Sequence, residues 1–507
     1  MKERLLELKY YLKNKWVTLA ILLPGLLACI YFTYQGIFLI AAAIAALPIL
    51  IAFVIYSFRH PIILFIVVFT INYGIMGIGR YISIPLPTSV LMDGCFILLL
   101  IAYCFHLFRG KSIFKSEIIP FLLLYGIWLT YCLIQAFNNT AGIGFQFTAW
   151  FKDVRPMAFH ALLIILVFSL VFNKSKHIKY FLYLWGGFIV LAAIKAYCQY
   201  KYGFDEKEMQ WLLSGPIKTH IIHSGIRYFS FFSDAANFGS NMAFSLVTFA
   251  ICFYYEKGKY TKWFYLLVAL AALYGMMLSG TRSAMIVALC GFLMYTLLSR
   301  SPKLFFSSLV LLIATVCILK FTTIGNSSSF VRRMRTAFNP QDASLQVRLN
   351  NQKAIKAYMK EAPWGIGMGI GMGSDQLPQN NKYWIVSITA PDSTLVYIWM
   401  RTGAVGIAIF LLVLAGAIIA ESFIVLFRIK DKQLRGILTA FTCGSACMIV
   451  AAYGNFIYHQ YPNTLLVFGL QTLVFMGPYF DRQLTAEKEQ KALEQQHEIR
   501  PTEEKDT

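Results

Sequence analysis

Five arginines stand beside long apolar runs and give the sequence its most distinctive chemistry. Arg282 opens the run SGTRSAMIVALCGFLMYTLL, and the other four are Arg155, Arg227, Arg348 and Arg401. A guanidinium stays charged at any working pH and can donate two parallel hydrogen bonds to a phosphate. Convergence of these side chains would create a site for a doubly charged phosphate group, whereas dispersed arginines would simply reach lipid headgroups.

The composition defines the elements that must position these arginines. Hydrophobic residues make up 58% of the 507 residues and charged residues only 14%, which is too little polar surface for a soluble globule. The apolar runs are long enough to cross a bilayer as helices and lack the alternation of barrel strands. The net charge of +21 is distributed in short Lys/Arg clusters between the runs, which indicates membrane orientation rather than nucleic-acid binding.

The pattern of apolar runs predicts an all-α polytopic membrane protein with about 12–14 transmembrane helices. The runs lie near residues 16–34, 37–56, 61–77, 88–108, 118–137, 156–172, 180–199, 238–255, 263–279, 283–299, 304–320, 404–427, 436–453 and 463–480. Together they form a predicted membrane domain over residues 1–480, which a polar tail follows over residues 481–507.

Positive charge predicts the orientation of these helices. With the basic N-terminus in the cytoplasm, the Lys/Arg clusters between runs fall on the cytoplasmic side, as the positive-inside rule requires. Both termini are then cytoplasmic, and two long segments, residues 200–237 and 321–403, lie outside, the second being one large late extracytoplasmic loop. Arg282 lies on the outer face against this trend, and a charge so placed is a hypothesis of function.

The late loop contains a predicted helix over residues 348–362 and the glycine-rich run GIGMGIGMG over residues 365–373. No strand precedes the glycines and no helix opens on them, so they are not a dinucleotide-binding fingerprint. They predict a mobile loop, with close approach to a phosphate or sugar as the alternative. Trp364, just before the run, could stack on a sugar ring.

Two further sets of charged residues have structural interpretations. Asp93 lies inside its apolar run and is expected to pair with an arginine such as Arg80. Arg332, Arg333 and Arg335 are expected to form a solvated patch or to contact lipid headgroups. A proton-relay role is the alternative for Asp93.

No metal site is predicted. His220 and His223 could touch a metal ion, but a histidine pair without a nearby third ligand is more often incidental. His459, in the segment YGNFIYHQYPN, is expected at the surface. The ten cysteines lie mostly inside the apolar runs and are interpreted as small core residues.

Three motifs, taken in order along the chain, resemble the O-antigen ligase-like superfamily over roughly residues 120–480. They are RYFSFFSDAANFG, LSGTRSAMIVAL and the late segment from Arg348 through EAPWGIGMGIG to APDSTLVYIWMRTGAVG. The resemblance implies metal-independent transfer of a glycan from undecaprenyl diphosphate, with arginines on the diphosphate. Arg282 matches the arginine of the SG-R motif, Arg227 matches the arginine ahead of the asparagine-containing segment, and Arg348 matches the arginine that opens the late-loop helix. Asn237 corresponds to that segment's asparagine.

The sequence departs from the family's ligases at one position of the late loop. Those ligases typically present a His-Asn pair where this chain has Pro391-Asp392-Ser393. Asp392 is therefore the candidate to orient or deprotonate an acceptor hydroxyl, and the alternative is that it caps the helix beginning at Ser393 or Thr394. Asp234 is a weaker candidate that could instead pair with Arg227.

The resemblance implies an enzyme of surface-polysaccharide assembly in the bacterial inner membrane, with its active site on the outer face. Catalytic roles are assigned to Arg282, Arg227 and Asp392, and substrate contacts to Arg348, Asn237, Arg155, Arg401 and Trp364. The partners are the undecaprenyl-diphosphate-linked glycan, an acceptor glycan or lipid A core, the bilayer and a chain-length regulator; no nucleic acid and no cofactor are expected. No Asp-x-Asp metal motif is present, so arginines would take the role of the metal. The absent His-Asn pair favours a polymerase, or a ligase-like enzyme with another acceptor.

Two other function classes remain as alternatives. A flippase or exporter of lipid-linked oligosaccharides is also polytopic and basic, but it should show two similar halves, short outer loops and many charges deep within its spans. A structural scaffold of an envelope complex would leave the outer arginines unexplained.

Overall fold

The computed structural model describes residues 15–36, 38–82, 88–110, 115–222, 225–299, 302–326, 329–336, 339, 341, 343–370 and 376–499. The described chain is almost entirely helical, which confirms the all-α prediction. It divides into two compact units, residues 1–67 and 68–507.

The first unit consists of an apolar helical hairpin and the start of the next helix. Its helices are α1 (Lys15–Tyr34), α2 (Phe38–Arg59) and the first residues of α3 (Pro61–Tyr81). The two hairpin helices pack against each other, and the Cys29 thiol donates to the carbonyl of Ala41 at 3.1 Å.

The second unit contains the rest of α3 and all later elements. Its first part comprises α4 (Thr88–Phe108), α5 (Ile119–Ile134), α6 (Phe147–Val154), α7 (His160–Val171), α8 (Ser175–Tyr202), α9 (Glu206–Leu213), α10 (Ile217–His220), β1 (Ile221–Ile222) and β2 (Gly225–Ile226). Its later part comprises α11 (Ala235–Tyr255), α12 (Lys259–Ser279), α13 (Arg282–Leu298), α14 (Pro302–Phe321), α15 (Ser329–Arg335), α16 (Ala343–Met359), α17 (Trp384–Ile388), α18 (Thr394–Phe423), α19 (Lys432–Gly454), α20 (Asn463–Phe475) and α21 (Gly477–Ile499). Short 3-10 or π turns lie at Ser116–Ile118, Gln135–Phe137, Arg155–Phe159 and Ile424–Arg428.

The helices confirm a multi-pass membrane protein. Within the described residues, nine helices are long and apolar enough to cross a membrane by length and composition. The pair α20 and α21, bent by 53°, would add a tenth. Every predicted apolar run coincides with a helix, including the shorter α13, which has 17 residues.

The core of the second unit is built around α11, which is buried along most of its length and packs against α12, α13 and α19. Glycines allow these close crossings. A Cβ on Gly444 of α19 would lie 2.4 Å from the ring of Phe244, and a Cβ on Gly291 of α13 would lie 2.7 Å from Val247. Small residues at such positions let membrane helices approach closely and pack tightly.

The two ends of the second unit differ in the residues that meet there. At one end, Lys115 donates to the carbonyl of Ser169 at 2.6 Å, and Asp481 accepts from the backbone of Asp431 at 2.9 Å. At the other end, the segment before α11, the turn before α13 and the start of α18 come together. We call this second end the site end, because it contains the predicted site residues.

Candidate functional site

The turn between α12 and α13 is the centre of the site end. Gly280 ends α12 in the left-handed conformation, with φ of 55°, and Arg282 begins α13 immediately afterwards. The hydroxyl of Thr281 donates to the carbonyl of Ala235 at 2.8 Å, which fixes this turn to the start of α11. The SGTRS motif thus places Arg282 in the first turn of a membrane helix, beside the start of a second one.

Arg227 contacts the same turn from the preceding segment. Its Nη2 donates to the hydroxyl of Thr281 at 3.0 Å, and its Nη1 donates to the carbonyl of Thr219 at 3.0 Å. Nε of Arg227 is buried and has no hydrogen-bond partner among the described residues. The guanidinium is therefore held beside the SGTRS turn, with its buried Nε unpaired.

Arg348 approaches the turn from the late loop. Its Nη2 donates to the side-chain oxygen of Asn455 at 3.3 Å, and the amide nitrogen of Asn455 donates to the hydroxyl of Ser283 at 2.5 Å. Because Ser283 follows Arg282 directly, this chain of contacts connects Arg348 with Arg282 through one asparagine.

A fourth arginine, Arg333 of α15, completes the group. It is buried, and its Nε donates to the carbonyl of Gly280. Arg282 in turn donates to the hydroxyl of Thr336 at 3.1 Å, just beyond the same helix. The predicted solvated patch is therefore wrong for Arg333, because the return of α15 to the SGTRS turn removes this side chain from solvent; Arg332 of the same helix is exposed. We refer to Arg227, Arg282, Arg333 and Arg348 as the arginine cluster.

Arg227 lies close enough to two other members of the cluster for their charges to affect it. Burial lowers the pKa of Arg227 below its usual value, and the positive charges of Arg282 and Arg348 lower it further, while the carboxylate of Asp234 opposes them. Like charges held together in a partly buried site favour the binding of an anion.

Asp392 lies close to α16, the late-loop helix that carries Arg348. Its Oδ2 accepts from the side-chain amide of Asn351 at 2.8 Å, and Asn351 stands about one turn after Arg348 on α16. Asp392 has a φ of 55°, which is uncommon for a residue other than glycine. The N-cap of α18 is Ser393, whose hydroxyl accepts from the backbone of Val396 at 3.5 Å, so the capping interpretation of Asp392 is wrong.

Two other predicted polar residues serve the packing of α11. Asn237 is fully buried and donates to the carbonyl of Tyr461 at 2.9 Å, while its oxygen accepts from Asn463 at 2.6 Å. Asp234 caps the helix by accepting from the backbone of Ala236 and Asn237 at 2.8 and 2.9 Å. Both residues therefore fix the start of α11 and thereby the segment that carries Arg227.

Arg401 and Arg155 each pair with a carboxylate instead of joining the cluster contacts. Nε of Arg401, which is buried, donates to Asp153 at 2.8 Å. Nη1 of Arg155 lies 3.1 Å from Asp93, whose other oxygen lies 2.6 Å from the imidazole of His160. The predicted pairing of Asp93 with an arginine is therefore confirmed, but the partner is Arg155 and not Arg80, because the turn at the start of α7 brings Arg155 to this carboxylate.

The glycine-rich run is a packed strip and not a mobile loop over its described part. Gly365, Gly367 and Gly369 have positive φ values of 85°, 105° and 90°. A Cβ on Gly365 would lie 2.2 Å from the carbonyl oxygen of Arg401, and one on Gly369 would lie 2.4 Å from the backbone of Ala149. The glycines are thus required by close backbone packing; residues 371 and 373 lie outside the described residues.

Trp364 precedes this strip and is 55% exposed. Its carbonyl accepts from the side chain of Asn138 at 2.9 Å, so its backbone is fixed while its ring remains accessible. The position is compatible with sugar stacking, which stays a prediction.

The histidines have structural positions. The Nε2 of His220 accepts from the backbone of Ala235 at 3.3 Å, and its Nδ1 lies 3.0 Å from the carbonyl of Pro216. His459, expected at the surface, is instead 7% exposed because it packs against Phe410. His223 lies outside the described residues. Among the residues that the structure describes, no group of three or more His, Cys, Asp or Glu side chains could hold a metal ion.

The comparison with known families now bears directly on this geometry. Residues 266–411 match the family model described as O-antigen ligase (Wzy_C). This part of the chain is similar to the O-antigen ligase family. The matched residues include Arg282, Arg333, Arg348 and Asp392, whereas Arg227 reaches the site from the segment before them. A search of curated proteins found no match.

The match over residues 266–411 confirms the resemblance that the motifs indicated and supports a membrane glycosyltransferase of the ligase or polymerase type. Sequence reasoning missed three residues of the site: Arg333, Asn351 and Asn455. Arg333 is one of three clustered arginines that were interpreted together as a surface patch, and the two asparagines belong to no recognised motif. The available signal for Arg333 was its place in the same late segment as Arg348.

Proposed function

We propose that the protein transfers a glycan from undecaprenyl diphosphate to an acceptor hydroxyl on the extracytoplasmic face, as a polymerase of surface polysaccharide. The observation that carries this proposal is the arginine cluster, in which four guanidiniums from three separate segments surround one short turn. Orientation by the positive-inside rule puts the site end outside the cytoplasm, and the membrane is then a bacterial inner membrane.

The cluster would hold the diphosphate and stabilise the charge that develops on it. In the transfer, the bond between C1 of the sugar and the phosphate oxygen breaks, and the electron pair remains on the leaving diphosphate. Preorganised cations in a partly buried site stabilise this charge, and losing one such contact costs on the order of 10²-fold or more in rate. The unused Nε–H of Arg227 is a donor of the kind that a phosphate oxygen would accept.

Asp392 would act on the acceptor. Its carboxylate would accept the proton of the attacking hydroxyl as the new bond between that oxygen and C1 forms. The hydrogen bond from Asn351 fixes one carboxylate oxygen and leaves the other for the acceptor. Because Asn351 and Arg348 both lie on α16, this one helix positions the carboxylate of Asp392 and the guanidinium of Arg348.

The most informative experiment is the glycan profile of a deletion strain, complemented with variants. Single repeat units capped on the final acceptor support a polymerase. Free lipid-linked polymer indicates a ligase, and untransported precursor indicates a flippase.

Complementation then tests the cluster itself. Arg282→Ala and Arg282→Lys should both abolish polymer while the protein still inserts, because a lysine keeps the charge but loses the bidentate geometry. Arg332→Ala is the matched control, since Arg332 is an exposed arginine on the same helix as Arg333. Normal-length glycan in the Arg282 variants would remove Arg282 from the mechanism.

A further inference from the structure

The segment that carries Arg227 makes an unusual turn on its way to α11. Ser230 lies at the centre of this turn, is fully buried and has a φ of 54°, in the left-handed region. A serine in this conformation persists only when its surroundings fix it. The contacts around Ser230 therefore decide where the segment, and Arg227 with it, can lie.

Arg80, at the end of α3, supplies the largest set of these contacts. Its Nη1 donates to the carbonyl of Ser230 at 3.3 Å, and its Nη2 donates to the carbonyls of Phe232 and, at 3.1 Å, Ser233. The rings of Trp211 and Phe229 lie 4.3 and 4.5 Å from the centre of the guanidinium. One side chain thus donates to three backbone carbonyls and also packs against two neighbouring aromatic rings.

Gln199 of α8 fixes the same turn from the other side. Its oxygen accepts from the backbone of Ser230 at 2.9 Å, and its nitrogen donates to the Ser230 carbonyl at 3.2 Å. Glu208 accepts from Gln199 at 2.8 Å and pairs with Lys195 at 2.9 Å. Arg80 and Gln199 therefore both hold the backbone of this turn.

We infer that Arg80 is a positioning residue for the diphosphate site and acts through Arg227. The inference rests on the proposed function. Nη1 and Nη2 of Arg80 both donate to backbone carbonyls of this turn, which assigns the side chain to holding the segment. Removing it would leave the carbonyls of Phe232 and Ser233 without this donor, and the segment would rearrange to satisfy them. Arg227, three residues before Ser230, would then lose its alignment with Thr281 and the rest of the arginine cluster.

The test is a double-mutant cycle on the binding of undecaprenyl diphosphate to the purified full-length protein. Arg80→Ala and Arg227→Ala should each weaken binding about tenfold or more. In the Arg227→Ala background, Arg80→Ala should cause little additional loss, because its effect passes through Arg227. In the Arg282→Ala background, Arg80→Ala should weaken the binding of undecaprenyl diphosphate by the same factor as it does alone, since Arg282 belongs to a different segment.

The inference would be overturned if Arg80→Ala weakened binding by the same factor in the Arg227→Ala and Arg282→Ala backgrounds. It would also be overturned if Arg80→Ala had no effect on binding. If Arg80→Ala does not yield folded protein, as judged by its melting temperature, the same cycle with Arg80→Lys decides the question, since lysine keeps the charge but does not bridge three carbonyls. Failure of the unsubstituted protein to bind undecaprenyl diphosphate would instead count against the proposed function itself.

Discussion

Gly280 and Arg333 lie in direct contact across the centre of the site: a Cβ at position 280 would be 3.2 Å from both Cδ and Nε of Arg333. The same Cβ would lie 3.6 Å from Cγ of Arg227. The glycine of the SGTRS motif thus has two functions, because it ends α12 with a positive φ and it leaves room for two arginines to meet.

Gly280→Ala should therefore reduce both stability and transfer activity. The left-handed backbone costs roughly 1–2 kcal/mol for a residue with a Cβ, and the added methyl group would push Arg333 away. The measurements are the melting temperature of the purified protein and polymer formation in the complemented deletion strain.

Gly203→Ala separates these two effects. Gly203 also has a positive φ, 86°, but a Cβ there would meet nothing within 4 Å. Because its ψ of −177° lies in a backbone region that is essentially restricted to glycine, Gly203→Ala should lower the melting temperature at least as much as Gly280→Ala and should leave polymer formation intact. Equal loss of polymer in both variants would show that general destabilisation, and not displacement of arginines, explains the result.

Asp392→Asn should slow the transfer step without weakening the binding of undecaprenyl diphosphate. The amide keeps the size of the carboxylate but no longer accepts the proton, and general bases contribute on the order of 10²–10⁴-fold to rates. Turnover and diphosphate binding are measured on the same purified variant. Glu361→Gln, an exposed carboxylate of the same loop that pairs with Lys382, is the control and should behave as the unsubstituted protein. Unchanged turnover in Asp392→Asn would exclude Asp392 as the base.

Arg401→Met should destabilise the protein and not act selectively on substrate. It leaves Asp153 buried without its cation, and breaking a buried pair in this way costs about 3–5 kcal/mol. The double variant Asp153→Leu with Arg401→Met should recover part of this loss, although the backbone N–H of Gly369 also donates to Asp153 at 2.7 Å. The melting temperature reports the effect. If the Arg401→Met protein is stable but fails to bind undecaprenyl diphosphate, Arg401 contacts the substrate, as the sequence predicted.

The stability of the protein should fall as the pH drops below about 6.5, the usual pKa of histidine. Burial lowers the pKa of His220, with the positive charge of Arg227 adding to the effect, and burial lowers the pKa of His459 to about 3. Both imidazoles are neutral in the folded protein and bind a proton on unfolding, so the free energy of unfolding decreases from pH 6.5 down toward the folded-state pKa values.

His220→Gln should make this pH dependence of the melting temperature shallower, since one of the two contributing groups is removed. His60→Gln is the control, because His60 is exposed and should leave the slope unchanged. A slope that is identical in His220→Gln and the unsubstituted protein would mean that His220 titrates normally.

The sequence alone was sufficient for the fold class and for part of the site. Apolar length is a local property, so each predicted run could be found without knowledge of its neighbours, and each coincides with a helix. The SGTRS motif is equally local: a glycine that ends one helix and an arginine that begins the next can be recognised from five consecutive residues. Arg282 was therefore identified without the fold.

The tertiary structure alone decided which arginines pair with carboxylates and which gather at the SGTRS turn. Arg401, Arg155 and Arg282 all lie near apolar runs. In the structure, Arg401 pairs with Asp153 and Arg155 pairs with Asp93, and each partner is far away in the sequence. Conversely, Arg333 joins the site only because α15 returns to Gly280. Pairing between side chains on different helices depends on helix packing and rotation, which hydrophobic periodicity does not encode. For that reason the residue types alone predicted a cationic site for a phosphate group. Helix packing determined which side chains form the candidate site.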